Sequence, residues 1–175
     1  MLPVYFSVDL LMERVPLANR WVSEKWQPAD IVPLGEGARA PGAPECIADG
    51  PGGTTWRFPS LPIELHPTEA EGYFLNVTSP TPLVFVMWRL EEDGVAPAAR
   101  PQIVTVSYNQ AGRLMDGGER VDPVPMPDVI RAWIEPFVAA HYRPEPRRKV
   151  RRNDPFANDP RARDRALVEK DLRED

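Results

Sequence analysis

A mainly β fold with helix added (α+β) is what this chain predicts: a small antiparallel β-barrel or sandwich of six to seven strands, a C-terminal amphipathic helix and a charged tail. Three observations carry the prediction. The 175 residues include 22 prolines, well above the usual ~5%, and prolines break helices and mark strand ends. β-branched and aromatic residues recur in short runs as far as Tyr108, many of them alternating with polar positions. After Pro127 the period changes to a one-sided helical stripe.

The strands follow in order. Val4 to Arg14 suits one long strand, turned at Pro16. Trp21 to Trp26 and Asp30 to Leu34 read as a second strand, bent or bulged at Pro28. From Gly35 to Gly53 there are six glycines, three prolines and four alanines without periodicity, which predicts a surface loop. Thr54 to Phe58 and Leu61 to His66 read as two further strands. Gly72 to Val77 and Leu83 to Leu90 read as the arms of a hairpin joined through Ser79 to Pro82. The second arm is nearly continuous in apolar residues, the pattern of a strand covered on both faces. Gln102 to Tyr108 closes the set.

Helices come last. A short one is expected around Ala111 to Met115, ended by Gly117 and Gly118. A longer one starts at Pro127 and Asp128, a proline suited to the first turn and a carboxylate suited to the positive end of the helix. Its stripe is Val129, Ile130, Trp133, Ile134, Phe137 and Val138, so it should lie across the sheet or plug an open barrel end. Pro136 inside it predicts a kink near Ala132 to Trp133.

Charge divides the chain. Residues 143–152 carry six Arg/Lys and one Glu, residues 153–175 five basic and seven acidic groups, and the net of −5 leaves −8 on residues 1–142. The expected organisation is a β-rich domain over residues 1–142 and a flexible charged tail over residues 143–175, either solvated or serving as a partner-docking arm. The single Cys46 excludes an internal disulfide, the N-terminus has no basic segment ahead of an apolar stretch, and no run approaches the ~20 apolar residues of a membrane span. A soluble cytoplasmic protein without membrane contact is the expectation.

No motif supplies catalysis. His66 and His141 stand 75 residues apart with no metal-ligand spacing. No G-x-S-x-G elbow is present, Cys46 lies in the glycine-rich stretch, and neither glycine cluster ends in the lysine and hydroxyl residue of a phosphate loop. The residues therefore call for no catalytic group, metal or cofactor. Binding features are clearer. Trp21 and Trp26 lie five residues apart beside Asn19 and Arg20. On a regular strand they would face opposite sides, one in the core and one exposed. An exposed tryptophan next to an arginine has the composition of an interface hot spot. The run Arg147, Arg148, Lys149, Arg151 and Arg152 lacks interleaved aromatics and hangs on an acidic body, so an acidic protein surface fits it better than nucleic acid.

Four segments in order, Pro16 to Trp21 with Trp26, Ile63 to His66 with Thr68 to Tyr73, Pro123 to Pro127 leading into Trp133, and the basic tail, resemble a proteobacterial domain family of unknown function over roughly residues 3–150. The resemblance implies a genomic setting beside formate dehydrogenase and molybdenum-cofactor genes. Some members of that family are labelled molybdopterin-guanine dinucleotide biosynthesis protein A. It transfers no catalytic residue, and a guanylyltransferase needs a glycine-rich phosphate loop in an α/β sheet, which Pro16 to Arg20 does not provide. The implied role is a non-catalytic accessory protein of a molybdenum- or tungsten-dependent formate dehydrogenase, docking through Asn19, Arg20, Trp21 and Trp26 with the basic arm on an acidic surface of that enzyme. The alternative is an enzyme or small-ligand carrier of molybdenum cofactor biosynthesis that uses the barrel mouth.

Overall fold

The structure, a computed structural model, describes residues 4–144. Seven strands form one sheet: β1 (Val4–Pro16), β2 (Glu24–Glu36), β3 (Glu45–Gly50), β4 (Gly53–Leu65), β5 (Leu83–Leu90), β6 (Ala99–Thr105) and β7 (Arg120–Pro125). Between them lie α1 (Ala70–Val77), preceded by a single 3-10 turn at Pro67–Glu69, then α2 (Tyr108–Asp116), and last α3 (Asp128–His141). The order across the sheet is β2-β1-β4-β6-β5-β7, with β3 added to the free side of β4's first half.

The sheet is mixed, which corrects the antiparallel expectation. β4 and β6 run parallel and meet through a single register pair, Ile63 and Val104, while the other neighbours are antiparallel. Right-handed twist curls the sheet until its edge strands β2 and β7 approach each other without forming a ladder. The result is a half-barrel rather than a closed one.

The long strands are bent where the residues require it. β2 has one extra residue between Asp30 and Pro28 opposite Leu11 and Met12, the bulge expected at Pro28, which cannot donate to the ladder. Residues 54–58 and 61–65 belong to one strand, β4, interrupted at Ser60, whose φ is +58°. A non-glycine residue there is strained, and the Asp9 carboxylate stabilises it by accepting from the Ser60 N–H at 2.9 Å.

Three further expectations are corrected. Gly72 to Val77 is not a strand but most of α1. The glycine-rich stretch contains β3, which pairs with β4 through the turn at Pro51 and Gly52. β7 takes in Pro123 and Pro125 as an edge strand with one neighbour, where proline is tolerated. The strand read to Tyr108 stops at Thr105, and Tyr108 opens α2 behind Ser107, whose side chain caps the helix by accepting from the Gln110 N–H.

α3 closes the end of the half-barrel where β1 begins and β2 ends. Ile130, Ile134 and Val138 are buried, Trp133 packs on Phe6 with ring centres 5.1 Å apart, and Phe137 meets Tyr73 edge-on at 6.0 Å. Val129, assigned to that stripe, is exposed instead. The core beneath is Phe6, Val8, Leu10 and Met12 of β1 with Ile63, Leu65, Val84, Val86 and Val106. Full burial of each such side chain contributes about 1.5–3 kcal/mol of transfer free energy. The buried run Val84 to Trp88 of β5 fits the strand expected to be covered on both faces.

Candidate binding site at the open end of the half-barrel

The strand directions put the end of β1, the start of β2, the start of β4, the end of β5 and the starts of β6 and β7 at the end opposite α3. No helix covers that end among the described residues. Trp26, Trp56 and Trp88 sit near those strand ends, and the β1–β2 connection adds Trp21. The mouth holds two adjoining cavities of about 410 and 560 Å³. Glu24, Trp26, Glu91 and Ala98 wall both. The first extends over Trp56, Cys46 and Asp49; the second extends between the β2 and β7 edges to Trp88, Arg120 and Asp122. Volumes of this size and aromatic walls are those of ligand and side-chain pockets.

Each predicted residue has a definite place. Residues 21–23 are not strand; β2 begins at Glu24. Trp21 is 79% exposed in the connection, whereas Trp26 is 9% exposed and belongs to the core cluster. The division between one exposed and one buried tryptophan therefore holds, although a loop rather than strand alternation produces it. Asn19 Oδ1 accepts from the Trp21 N–H at 2.9 Å, a local turn. Arg20 lays its guanidinium over the Trp21 ring, 4.5 Å from the centroid, and Leu17 N–H donates to Ser23 O to close the base of the loop. Asn19, Arg20 and Trp21 thus form one unit on the rim, and Trp26 forms the wall below. Arg147, Arg148, Lys149, Arg151 and Arg152 lie outside the described residues, as does the rest of the expected tail.

The sequence reading missed the other walls. Trp88 donates from its indole nitrogen to Asp122 at 2.7 Å and carries Arg120 over its ring at 4.5 Å. The Glu91 to Ala98 connection is braced by Arg100, which reaches both Asp93 carboxylate oxygens at 2.8 Å and the Val95 carbonyl at 2.9 Å. That guanidinium holds the Asp93 carboxyl below its ordinary range, chiefly through the hydrogen bonds. Glu119 is likewise lowered by its hydrogen bonds from Arg89 just outside the mouth.

The mouth is acidic: Glu24, Asp49, Glu91, Glu92 and Asp122 face Arg14, Lys25 and Arg120. Arg14 is engaged, by Glu24 at 3.5 Å and by Thr54 Oγ1 at 3.0 Å. Apolar residues continue onto the rim, where Trp21, Val22, Leu90 and Val95 are exposed.

Chemistry is less evident. Among the described residues no group of three or more His, Cys, Asp or Glu stands close enough to hold a metal ion. His66 pairs with Glu64 at 3.2 Å, and His141 stacks on Phe137 with ring centres 4.3 Å apart. No helix among the described residues is long and apolar enough to cross a membrane.

Residues 7–151 match the family described as "Protein of unknown function (DUF3305)". The chain belongs to this family. The match takes in all seven strands, apart from the first residues of β1, together with the three helices and the whole mouth. No curated protein and no solved structure matches the chain.

Proposed function

We propose that this protein is an accessory protein that docks on a partner through the rim of the half-barrel, and that the partner is a subunit of a molybdenum- or tungsten-dependent formate dehydrogenase. The observation that carries the docking part is Trp21. A tryptophan 79% exposed, held by Asn19 and covered on one face by Arg20, offers a large contact area at small entropic cost, the property of interface hot spots. The formate dehydrogenase part rests on the resemblance of the four ordered segments, and the basic run Arg147 to Arg152 would complement an acidic surface of the enzyme.

The competing reading is a carrier or enzyme for a molybdopterin-type ligand seated in the mouth, favoured by the three tryptophans that wall the cavities. The excess of carboxylates there weighs against it, because a phosphorylated pterin or guanine nucleotide brings negative charge. The test is co-purification from cells making the dehydrogenase, using the full chain and Trp21→Ala. Enrichment of a dehydrogenase subunit by the native chain and its loss in the variant is the expected result. A parallel titration with GTP that raised the melting temperature would favour the carrier reading instead.

A further inference from the structure

The mouth's charge and geometry say more about what enters it, and this deepens the docking reading and rests on it. We propose that the mouth receives a basic, apolar-flanked peptide segment of the protein partner, with an arginine or lysine side chain lodged between Trp26, Trp56 and the Glu91 carboxylate.

Three independent observations point to that occupant. The first is charge. Glu91 and Glu92 sit on the connection that crosses the mouth and make no ion pair within 4 Å among the described residues. Arg89 and Arg100, whose charges Glu91 feels at longer range, are engaged by Glu119 and Asp93. Five carboxylates against three cations then favour a cation inside the mouth.

The second is the surface the cation would meet. Trp26 and Trp56 share the cavity of about 410 Å³ with Glu91. An aromatic wall with a carboxylate beside it attracts a guanidinium or ammonium through the ring quadrupole. The fold already uses that interaction twice, in Arg20 on Trp21 and Arg120 on Trp88.

The third separates a peptide from a free small cation. The Trp26 indole N–H is shut off from water and has no acceptor among the described residues, a costly state for a donor. A bare guanidinium or ammonium has no acceptor to offer that N–H, whereas a peptide brings backbone carbonyls. Val22, Leu90 and Val95, exposed around the cavities, supply contact for the flanking apolar side chains.

The experiment uses the full chain with ¹⁵N-labelled indoles and four probes: a peptide alternating arginine and leucine, the same peptide with glutamate for arginine, free arginine, and GTP. The basic peptide is expected to move the Trp26 indole signal downfield as its N–H gains an acceptor, with weaker binding as salt rises. Reversing the rim charge with Glu91→Lys and Glu92→Lys should weaken it ~10-fold or more, and the milder Glu91→Gln with Glu92→Gln should weaken it in the same direction. Equal binding of the acidic peptide, binding by free arginine alone, tighter binding of GTP, or affinity untouched by both pairs of variants would overturn the proposal. If Trp21→Ala loses the co-purified partner while the charge-reversed chain keeps it, the peptide proposal fails and the docking reading stands. If neither change alters co-purification, both fail.

Discussion

Trp88 and Asp122 join β5 to β7 across the mouth: the indole nitrogen donates to Asp122 Oδ2 at 2.7 Å, diagonally across the ladder in which Val86 faces Asp122 and Trp88 faces Arg120. The same ring carries Arg120 on its face. β7 is an edge strand paired on one side only, so this side-chain bond helps to hold the wall of the larger cavity. Asp122→Ala leaves the buried Trp88 without its acceptor and should cost about 1–3 kcal/mol in urea unfolding. Tryptophan emission should shift as the ring loosens.

Asn76 predicts the largest loss. Its amide donates to the carbonyls of Leu83 and Val106 at 2.7 and 2.8 Å, and its oxygen accepts from the Leu83 N–H at 2.9 Å. The residue is fully buried and ties α1 to the start of β5 and the end of the β6 segment. Asn76→Asp keeps the shape but turns both donations into carboxylate against carbonyl. A loss of about 3 kcal/mol or more is expected, read as a lowered denaturant midpoint.

Two glycine substitutions should move in opposite directions. A Cβ on Gly72 would meet Ser107 Oγ at 2.2 Å and the Asn109 backbone nitrogen at 3.1 Å, and Ser107 is fixed by its bond to Glu69 and its cap on α2. Gly72→Ala should therefore destabilise by about 1–3 kcal/mol. Gly112, inside α2 with nothing within 4 Å of its added Cβ, should become more stable as alanine by about 0.5–1 kcal/mol. Thermal melts of the two variants decide it.

The same Gly72 shows what the residues could and could not reveal. The strand β1, the bulge at Pro28 and most of the α3 stripe were legible, because β-branched alternation and helical periodicity are local signals, whereas β4 reads as two strands because its break at Ser60 falls beside Pro59 and Pro62. The run Tyr73, Phe74, Leu75 and Val77 has strand-forming composition, and α1 prevails because Gly72 lets it press on Ser107 while Asn76 binds two distant carbonyls. Such contacts join residues about thirty positions apart and leave no local trace. The parallel meeting of Ile63 and Val104 is likewise invisible to alternation, which is the same for either strand direction. At the site, the grouping of Asn19 and Arg20 with Trp21 was legible from residue types, but Trp21 itself reads as strand and lies instead in the β1–β2 connection. Trp56 and Trp88 read as ordinary strand residues, and only the strand directions bring them to one end with Trp26.

Tyr73 predicts an alkaline limit. Burial pushes its hydroxyl up to about 12, against an ordinary value near 10. Its oxygen accepts from the His66 N–H at 3.0 Å and its hydroxyl donates to the Glu64 carbonyl. With the folded value raised, the folded state holds the proton longer, so its stabilising effect is complete below pH 10 and is lost as pH rises towards 12. Tyr73→Phe should be less stable at neutral pH by about 1–3 kcal/mol and should lose less between pH 10 and 12. Denaturation curves at pH 8, 10 and 11.5 check both signs.

If the rim docks through Trp21, as proposed, Trp21→Ala should separate docking from folding. Removing an exposed side chain in a loop should leave stability within about 0.5 kcal/mol, while truncation of an interface hot spot costs about 2 kcal/mol or more of binding. Native and variant chains are to be compared by pull-down from cells growing on formate, with metal analysis of the eluate. The native chain should enrich a metal-containing dehydrogenase subunit, and the equally folded variant should not. Equal recovery of that subunit by both chains, or enrichment of none by the native chain while the enzyme is being made, would contradict it.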